Sequence, residues 1–289
     1  MSSKAAWAVM EVIPPSAEFL AAAGVDSARL DAELLLAHLL GCSRLDLYLK
    51  FDHPLSDEQR SAYRALLGRR RDREPLQLIV GETEFYGYTL KMKPGVFIPR
   101  QETEILVEKT LAALPAGPIR AAEMGTGSGA IPIALARERE DLSIEASDVS
   151  PEALSLASEN AALNEVNTRV QFVEMMGLPG GEDLDLIISN PPYVRLDEAE
   201  SLPPEVGSHD PHAALFAGED GLDAYRLLAE EAPSRLRPGG LLALEIGETQ
   251  GEAVGDLLAT AGFEGIVVHP DLSGRDRVVM GTMPGGKKS

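Results

Sequence analysis

From Ile119 onward, short apolar runs alternate with segments of helical period, and this alternation constrains the fold more than any other feature. The runs fall at Ile119–Met124, 143–147, 170–173, Leu184–Ser189, 241–246, 266–269 and 278–280, with helical patterns from Ala130, from Pro151, over 221–236 and over 250–261. Such a pattern predicts an α/β fold, a doubly wound and mostly parallel seven-stranded sheet with helices on both faces. The last two strands are expected to form an antiparallel hairpin at one edge.

Upstream the period is different. Residues 1–75 read as a small helical domain, with Asp26 as the cap of an apolar face through Ala28, Leu30, Ala32, Leu34, Leu35 and Leu39 that stops at Gly41. Ser56 and Gln59 form a capping box before Tyr63, Leu66 and Leu67. Arg69, Arg70, Arg71 and Arg73, with Arg60 and Arg64 upstream, read as a solvated helix end that complements the helix dipole; a docking patch for an acidic partner is the alternative. Residues 76–100 read as a β-hairpin linker, with extended runs at Leu76–Val80 and 83–92 and turns at Gly81, Gly87 and Gly95. The sheet domain then occupies 101–289. Within it, 195–218, carrying Pro203, Pro204 and Pro211, is long for a simple connection and reads as a functional loop.

Charge and composition narrow the function. The net charge is −20, and residues 76–289 hold 16 Lys and Arg against 35 Asp and Glu, a surplus that repels a polyphosphate backbone. No stable nucleic-acid binding is expected. The single cysteine, Cys42, forms no internal disulfide and rules out multi-cysteine zinc sites. His209 and His212, three apart with no cysteine partner, read as solvated residues, so no metal is expected. No run approaches the roughly 18 apolar residues of a membrane span, and MSSKAAWAVMEVIPP lacks secretory or transit character. A cytoplasmic protein without membrane association is the expectation.

Two motifs carry the chemistry. Strand Ile119–Met124 runs into Gly125-Thr126-Gly127-Ser128-Gly129 and then a helix, and glycines there let the chain turn sharply and let a ligand approach the backbone. Asp148 follows 23 residues after Gly125, at the end of the next strand, where its carboxylate can accept hydrogen bonds from both hydroxyls of a ribose. Gly125, Gly127 and Ala130 also satisfy the dinucleotide-binding spacing, so at this point a nicotinamide cofactor stays open.

The second motif follows the strand Leu184–Ser189: Asn190-Pro191-Pro192-Tyr193. In an open parallel sheet both motifs fall at the carboxyl ends of strands, where ligands bind. The Asn190 side-chain carbonyl and the Pro191 backbone carbonyl offer two acceptors for the two N–H bonds of a planar NH₂ group. The prolines stiffen the backbone, and Tyr193 supplies a flat stacking surface. An amide nitrogen is a weak nucleophile, so catalysis here is orientation toward an electrophilic methyl, an effect worth about 7–11 kcal/mol in favourable cases. The motif contains no general base.

Gly125–Gly129, Asp148 and Asn190–Tyr193 resemble class I S-adenosylmethionine-dependent, Rossmann-like methyltransferases that modify planar nitrogens. Phe85-Tyr86-Gly87, Phe97 to Glu104 (FIPRQETE), Glu205 to Ala217 (EVGSHDPHAALFA) and Glu245 to Gly251 (EIGETQG) extend the resemblance to the peptide-chain release factor N5-glutamine methyltransferase family, over about residues 15–283. The resemblance implies methyl transfer from S-adenosyl-L-methionine, giving S-adenosyl-L-homocysteine, to the glutamine of the Gly-Gly-Gln tip of class I release factors, with the helical domain recognising the factor. The alternative is transfer to an exocyclic amine of adenine or cytosine. It further implies cofactor binding by Gly125, Thr126, Gly127, Ser128, Gly129, Asp148, Glu174, Met175 and Asn190. Asn190, Pro191 and Tyr193 take the catalytic roles, and Asn190, Pro191, Pro192, Tyr193, Phe97 and Arg100 the substrate-binding ones. The chain departs from the family pattern in three places: Glu123-Met124 replaces the usual Asp-Leu, Glu174-Met175 the usual acid and aromatic, and Gln101 a common proline.

Overall fold

The computed structural model describes residues 7–285; part of the N-terminal segment read for leader character lies outside the described residues. The chain divides at Glu82/Thr83 into two compact units.

The first unit is helical: α1 (Val9–Ala21), α2 (Ala28–Leu40), α3 (Arg44–Leu49), α4 (Asp57–Arg71) and α5 (Leu76–Val80). They enclose a core built on Ile13, Leu20, Leu35, Leu36, Leu47, Tyr63 and Ile79. Gly41 ends α2 in the left-handed conformation at φ 61°, and the Ser56–Gln59 capping box opens α4. The cap of α2 is Ser27 and not Asp26, and its side chain makes no capping bond. Leu76–Val80 is a helical turn and not a strand. The Pro75 carbonyl accepts from the Leu78 and Ile79 amides, Gly81 closes the turn at φ 84°, and Ile79 is drawn into the core. An apolar run of that length carries no period that separates strand from helix.

The basic cluster is also not a uniformly solvated end. Arg70 is buried and its Nε donates to Asp31 Oδ2 at 2.7 Å. Arg69 pairs with Glu74 and Arg71 with Asp72, which argues against a free patch for acidic partners.

The division falls just inside β1 (Glu82–Phe85), which forms a hairpin with β2 (Tyr88–Lys91) at the start of the second unit. Tyr86 and Gly87 both have positive φ, as a two-residue turn matched to strand twist requires. After α6 (Thr103–Ala113) come β3 (Ile119–Met124), α7 (Ala130–Glu138), β4 (Leu142–Asp148), α8 (Pro151–Leu163), β5 (Val170–Glu174) and β6 (Leu184–Ser189). The segment read as a loop contains a 3₁₀ turn (Leu196–Ser201), α9 (Pro204–His209) and α10 (His212–Leu215). Pro203 and Pro211, whose fixed φ suits the entry to a helix, stand as the N-caps of these two helices. The unit closes with α11 (Asp223–Arg235), β7 (Leu236–Glu245), α12 (Gly251–Thr260), β8 (Glu264–Pro270) and β9 (Asp276–Thr282).

The seven-stranded sheet has the order β5-β4-β3-β6-β7-β9-β8, parallel except for β9, which runs antiparallel to both its neighbours. Its faces are both apolar because residues alternate between two cores. Ala121, Leu186, Ile188 and Ala243 point into one, while Ala122, Ile187, Leu242 and Leu244 point into the other. From β3 the chain winds outward through β4 to β5, then returns to lay β6 on the opposite side of β3. The direction of winding reverses between β3 and β6, and the crevice beyond their carboxyl ends is where ligands bind in such sheets.

Candidate active site

At that crevice lies a cavity of about 730 Å³, within the range of roughly 300–1,000 Å³ typical of small-molecule sites. Gly125, Thr126, Gly127 and Ser128 line one side and Asn190, Pro191, Pro192 and Tyr193 another, so the two sequence motifs face one space. Phe97, Arg100, Asp148 and Met175 also line it. Gly129 and Glu174 do not. A Cβ at Gly129 would stand 3.1 Å from those of Ala157 on α8, so this glycine lets two helices approach. Glu174 is exposed at the end of β5.

The glycine loop is tied to its neighbours by backbone geometry. Gly125 and Gly127 hold φ values of 75° and 55°, a region side-chain-bearing residues rarely adopt. The amides of Gly125 and Thr126 both donate to the Ser147 carbonyl at 2.9 Å. Asp148 Oδ2 accepts from the Gly127 amide at 2.8 Å and Oδ1 from the Ser150 amide at 3.0 Å. Each oxygen keeps a lone pair for a further donor, which suits a vicinal diol. Ser150 caps α8, its side-chain oxygen accepting from the Ala153 amide at 3.1 Å. A Cβ at Gly125 would meet no atom within 4 Å, so the loop leaves open a cradle for an elongated ligand. These features fit a nucleoside cofactor.

Glu123, just ahead of the loop, is fully buried, and neither of its carboxyl oxygens nor Thr126 Oγ1 has a hydrogen-bond partner. Burial, with the nearby negative charge of Asp148, pushes its pKa up to about 8, so it is largely uncharged at neutral pH.

On the other wall, Ser189 Oγ donates to the Met124 carbonyl at 2.7 Å, joining β6 to β3 immediately before the Asn190 segment. Asn190 Nδ2 donates to Thr103 Oγ1 at 3.1 Å. Burial pushes the Tyr193 phenol up to about 12, and Glu245 adds to the shift, so the ring stays neutral. Gln250 Nε2 donates to the carbonyls of Tyr193 and Gly221, and its Oε1 accepts from the Gly247 amide. Arg100 pairs with the buried Asp210 and lies 5.0 Å from the centroid of the Phe97 ring. That pair ties the segment before α6 to the end of α9. Val206, Leu215 and Phe216 from the 195–218 segment complete an apolar wall.

Thr103, Gln250 and Glu245 received no role from sequence reasoning, although they stand within stretches that carried the family resemblance. Each is separated from Asn190–Tyr193 by more than 50 positions, so only the fold brings them together. Among the described residues no cluster of His, Cys, Asp and Glu could hold a metal ion, and no helix is long and apolar enough to cross a membrane.

The sheet order, the cradle at its switch point and the facing Asn-Pro-Pro-Tyr segment define a class I, Rossmann-like methyltransferase. A methyltransferase from Pyrococcus furiosus shares this fold with a TM-score of 0.50 and 20% identity, over 68% of this chain and 90% of that one. Residues 13–81 match the family described as PrmC N-terminal domain and 87–202 that described as methyltransferase small domain. The chain belongs to the release factor glutamine methyltransferase family. It is 40% identical to the Geobacter sulfurreducens member over 95% of this chain and 96% of that one, and 44% identical to the Cereibacter sphaeroides member over 92% and 95%.

Proposed function

We propose that this enzyme transfers a methyl group from S-adenosyl-L-methionine to the side-chain amide nitrogen of the glutamine in the Gly-Gly-Gln tip of class I release factors, in the cytoplasm. The observation that carries the reading is the fixed Asn190 amide beside the Pro191 carbonyl, across one cavity from a glycine cradle and Asp148. When bound there, the cofactor supplies an electrophilic methyl on a sulfonium.

The chain's own residues do the rest. Gly125–Ser128 leave room for the cofactor, and Asp148 accepts hydrogen bonds from its ribose hydroxyls. Met175, next to Asp148 at the cavity wall, covers the base, a role its flexible thioether suits. Asn190 Oδ1 and the Pro191 carbonyl take one N–H each from the glutamine amide, which turns the nitrogen's lone pair toward the methyl. Tyr193, kept neutral by burial, gives the amide plane a surface to stack on. The proton leaves after transfer, when the nitrogen is cationic and acidic, past the same carbonyls. Phe97 and Arg100 form the mouth through which the glutamine enters, Arg100 held by Asp210. The acidic balance of residues 76–289 speaks against a nucleic-acid acceptor.

The test is transfer of isotopically labelled methyl to purified class I release factor, with duplex DNA and total RNA as parallel acceptors, and peptide mass spectrometry to locate the label. Label on the Gly-Gly-Gln glutamine, lost when that residue is changed, is expected. Label on nucleic acid and not on the factor would overturn the assignment.

A further inference from the structure

Behind Asn190, away from the cavity lining, lies a carboxyl with no role in the reaction described so far. Glu245, at the end of β7, is buried, and its Oε2 has no hydrogen-bond partner. The Thr103 hydroxyl and the Asn190 side-chain amide lie close enough to this carboxyl to favour its charged form. Thr103 is itself buried and accepts from Asn190 Nδ2 at 3.1 Å.

The donor and acceptor inventory of these three groups has one consistent arrangement when Glu245 is ionised. A carboxylate only accepts. The Thr103 hydroxyl therefore gives its single proton to Glu245, which leaves its oxygen able only to accept from Asn190. Asn190 must answer with its NH₂ edge, whose remaining N–H also favours the ionised carboxylate. Since oxygen and nitrogen sit on opposite edges of a planar amide, Oδ1 is then the edge presented to the cavity.

We propose that Glu245, acting through Thr103, is a positioning residue that dictates which edge of the Asn190 amide meets the substrate. The consequence for specificity is direct. With Oδ1 outward the site accepts N–H bonds and takes an amide NH₂; with the edges exchanged it would offer donors and repel one. Protonation of Glu245 removes the constraint. A carboxylic acid can donate to Thr103 Oγ1, the threonine proton is freed, and Asn190 can turn its oxygen inward.

The surroundings put that event in an accessible range. Glu245 is pushed up to about 7 in all: burial raises it most and Glu102 at the start of α6 adds to this, while Thr103, Arg277 on β9 and Asn190 oppose the shift. Tyr193 and Tyr225 on α11, the other titratable groups in electrostatic reach, remain neutral phenols. Arg277 is anchored by Asp271 Oδ2 and the Ile246 carbonyl, so a fixed positive charge keeps the carboxylate form populated at neutral pH.

The inference rests on the methyl-transfer reading, and the experiment separates the two. Methyl transfer to release factor is measured under saturating cofactor from pH 5.5 to 8.5 for wild type, Thr103→Val, Thr103→Ser and Glu245→Gln, with cofactor Kd determined for each. Wild-type kcat is expected to fall as pH drops through about 7. Glu245→Gln and Thr103→Val should each lose tenfold or more in kcat, keep cofactor Kd within threefold and lose the acid limb, while Thr103→Ser recovers most of kcat. A wild-type profile flat across pH 6–8, or variants that lose kcat and cofactor affinity in parallel while the acid limb persists, would overturn the inference. The wild-type profile decides the matter even where a variant fails to fold. No label on the wild-type substrate glutamine at any pH would instead sink the methyl-transfer reading itself.

Discussion

Gln250 holds Tyr193 by its backbone: Nε2 of the glutamine donates to the tyrosine carbonyl at 3.2 Å, while the same side chain spans to Gly221 and Gly247. One amide thus fixes the exit of the Asn190–Tyr193 segment to the start of α12. Tyr225 adds its own anchor on the Glu245 carbonyl at 2.9 Å. Gln250→Ala leaves partly buried carbonyls and an N–H without partners, at about 1–3 kcal/mol for each group left unsatisfied. We expect kcat for release factor to fall about tenfold and Tm by several degrees, with little change in cofactor Kd. Thermal melts and steady-state kinetics on the same preparation check both.

The two walls of the cavity should separate cleanly by mutation. On the proposed assignment Asn190→Ala removes a contact to the reacting amide, so turnover is expected to drop by on the order of 10²-fold, as for loss of one polar transition-state contact, with cofactor affinity nearly unchanged. Asp148→Ala removes the proposed ribose acceptor and should act chiefly on cofactor Kd, through hydrogen bonds worth about 1.5–3 kcal/mol each to a charged group. Isothermal titration with S-adenosyl-L-homocysteine beside methyl-transfer rates would expose equal losses in both parameters, which would contradict these roles.

In the helical unit, Asp31 and Arg70 are an ion pair with little access to water. Removing one partner leaves the other charge buried and uncompensated, typically at a cost of about 3–5 kcal/mol. Asp31→Ala is expected to destabilise by that order in urea unfolding, whereas Asp31→Leu combined with Arg70→Met should recover most of the loss. A single variant as stable as wild type would show that the pair is hydrated in solution.

Glu123 predicts a stability profile. Its folded pKa of about 8 lies above the unfolded value of 4.5, so the folded state holds a proton the unfolded chain has released. Its favourable contribution is full below 4.5 and is lost as pH rises through about 8. Glu123→Gln keeps the neutral form at every pH, so the difference in stability between variant and wild type should grow in the variant's favour across that window. Chemical denaturation at a series of pH values reads it; a constant difference would contradict the shift.

Much of the fold is legible because β3 and β6 carry apolar residues toward both faces of the sheet, so each reads as a short, mostly apolar run, interrupted by Arg120 and Glu123 in β3 and by Asp185 and Ser189 in β6. Ile119–Met124 and Leu184–Ser189 were bounded correctly for that reason. Leu76–Val80 reads as extended yet folds as a helical turn, because its run is shorter than the period needed to tell helix from strand. The short helices within 195–218 leave no signature in the sequence because none is long enough to show amphipathic spacing. In the site, the glycine loop and Asn190–Tyr193 were readable because their chemistry is local in sequence. The Thr103–Asn190 contact spans 87 positions, and Arg70 looked solvated until α2 supplied Asp31. Pairings of that kind belong to tertiary structure, and no local pattern announces them.

The placement of β9 bears on how the domain comes into being. It is the latest of the sheet's strands in order of synthesis, yet it lies between β7 and β8 and not at a rim. Until residues 276–282 have left the ribosome, the outer edge of β7 has no partner and β8 has no sheet to join. Arg277, which tethers the segment after β7 and balances Glu245, arrives on that same strand. The wall that carries Asn190 is therefore completed only once the last strand of the sheet has been made, so a nascent chain carries both motifs of the site well before it has the sheet needed to hold them in register.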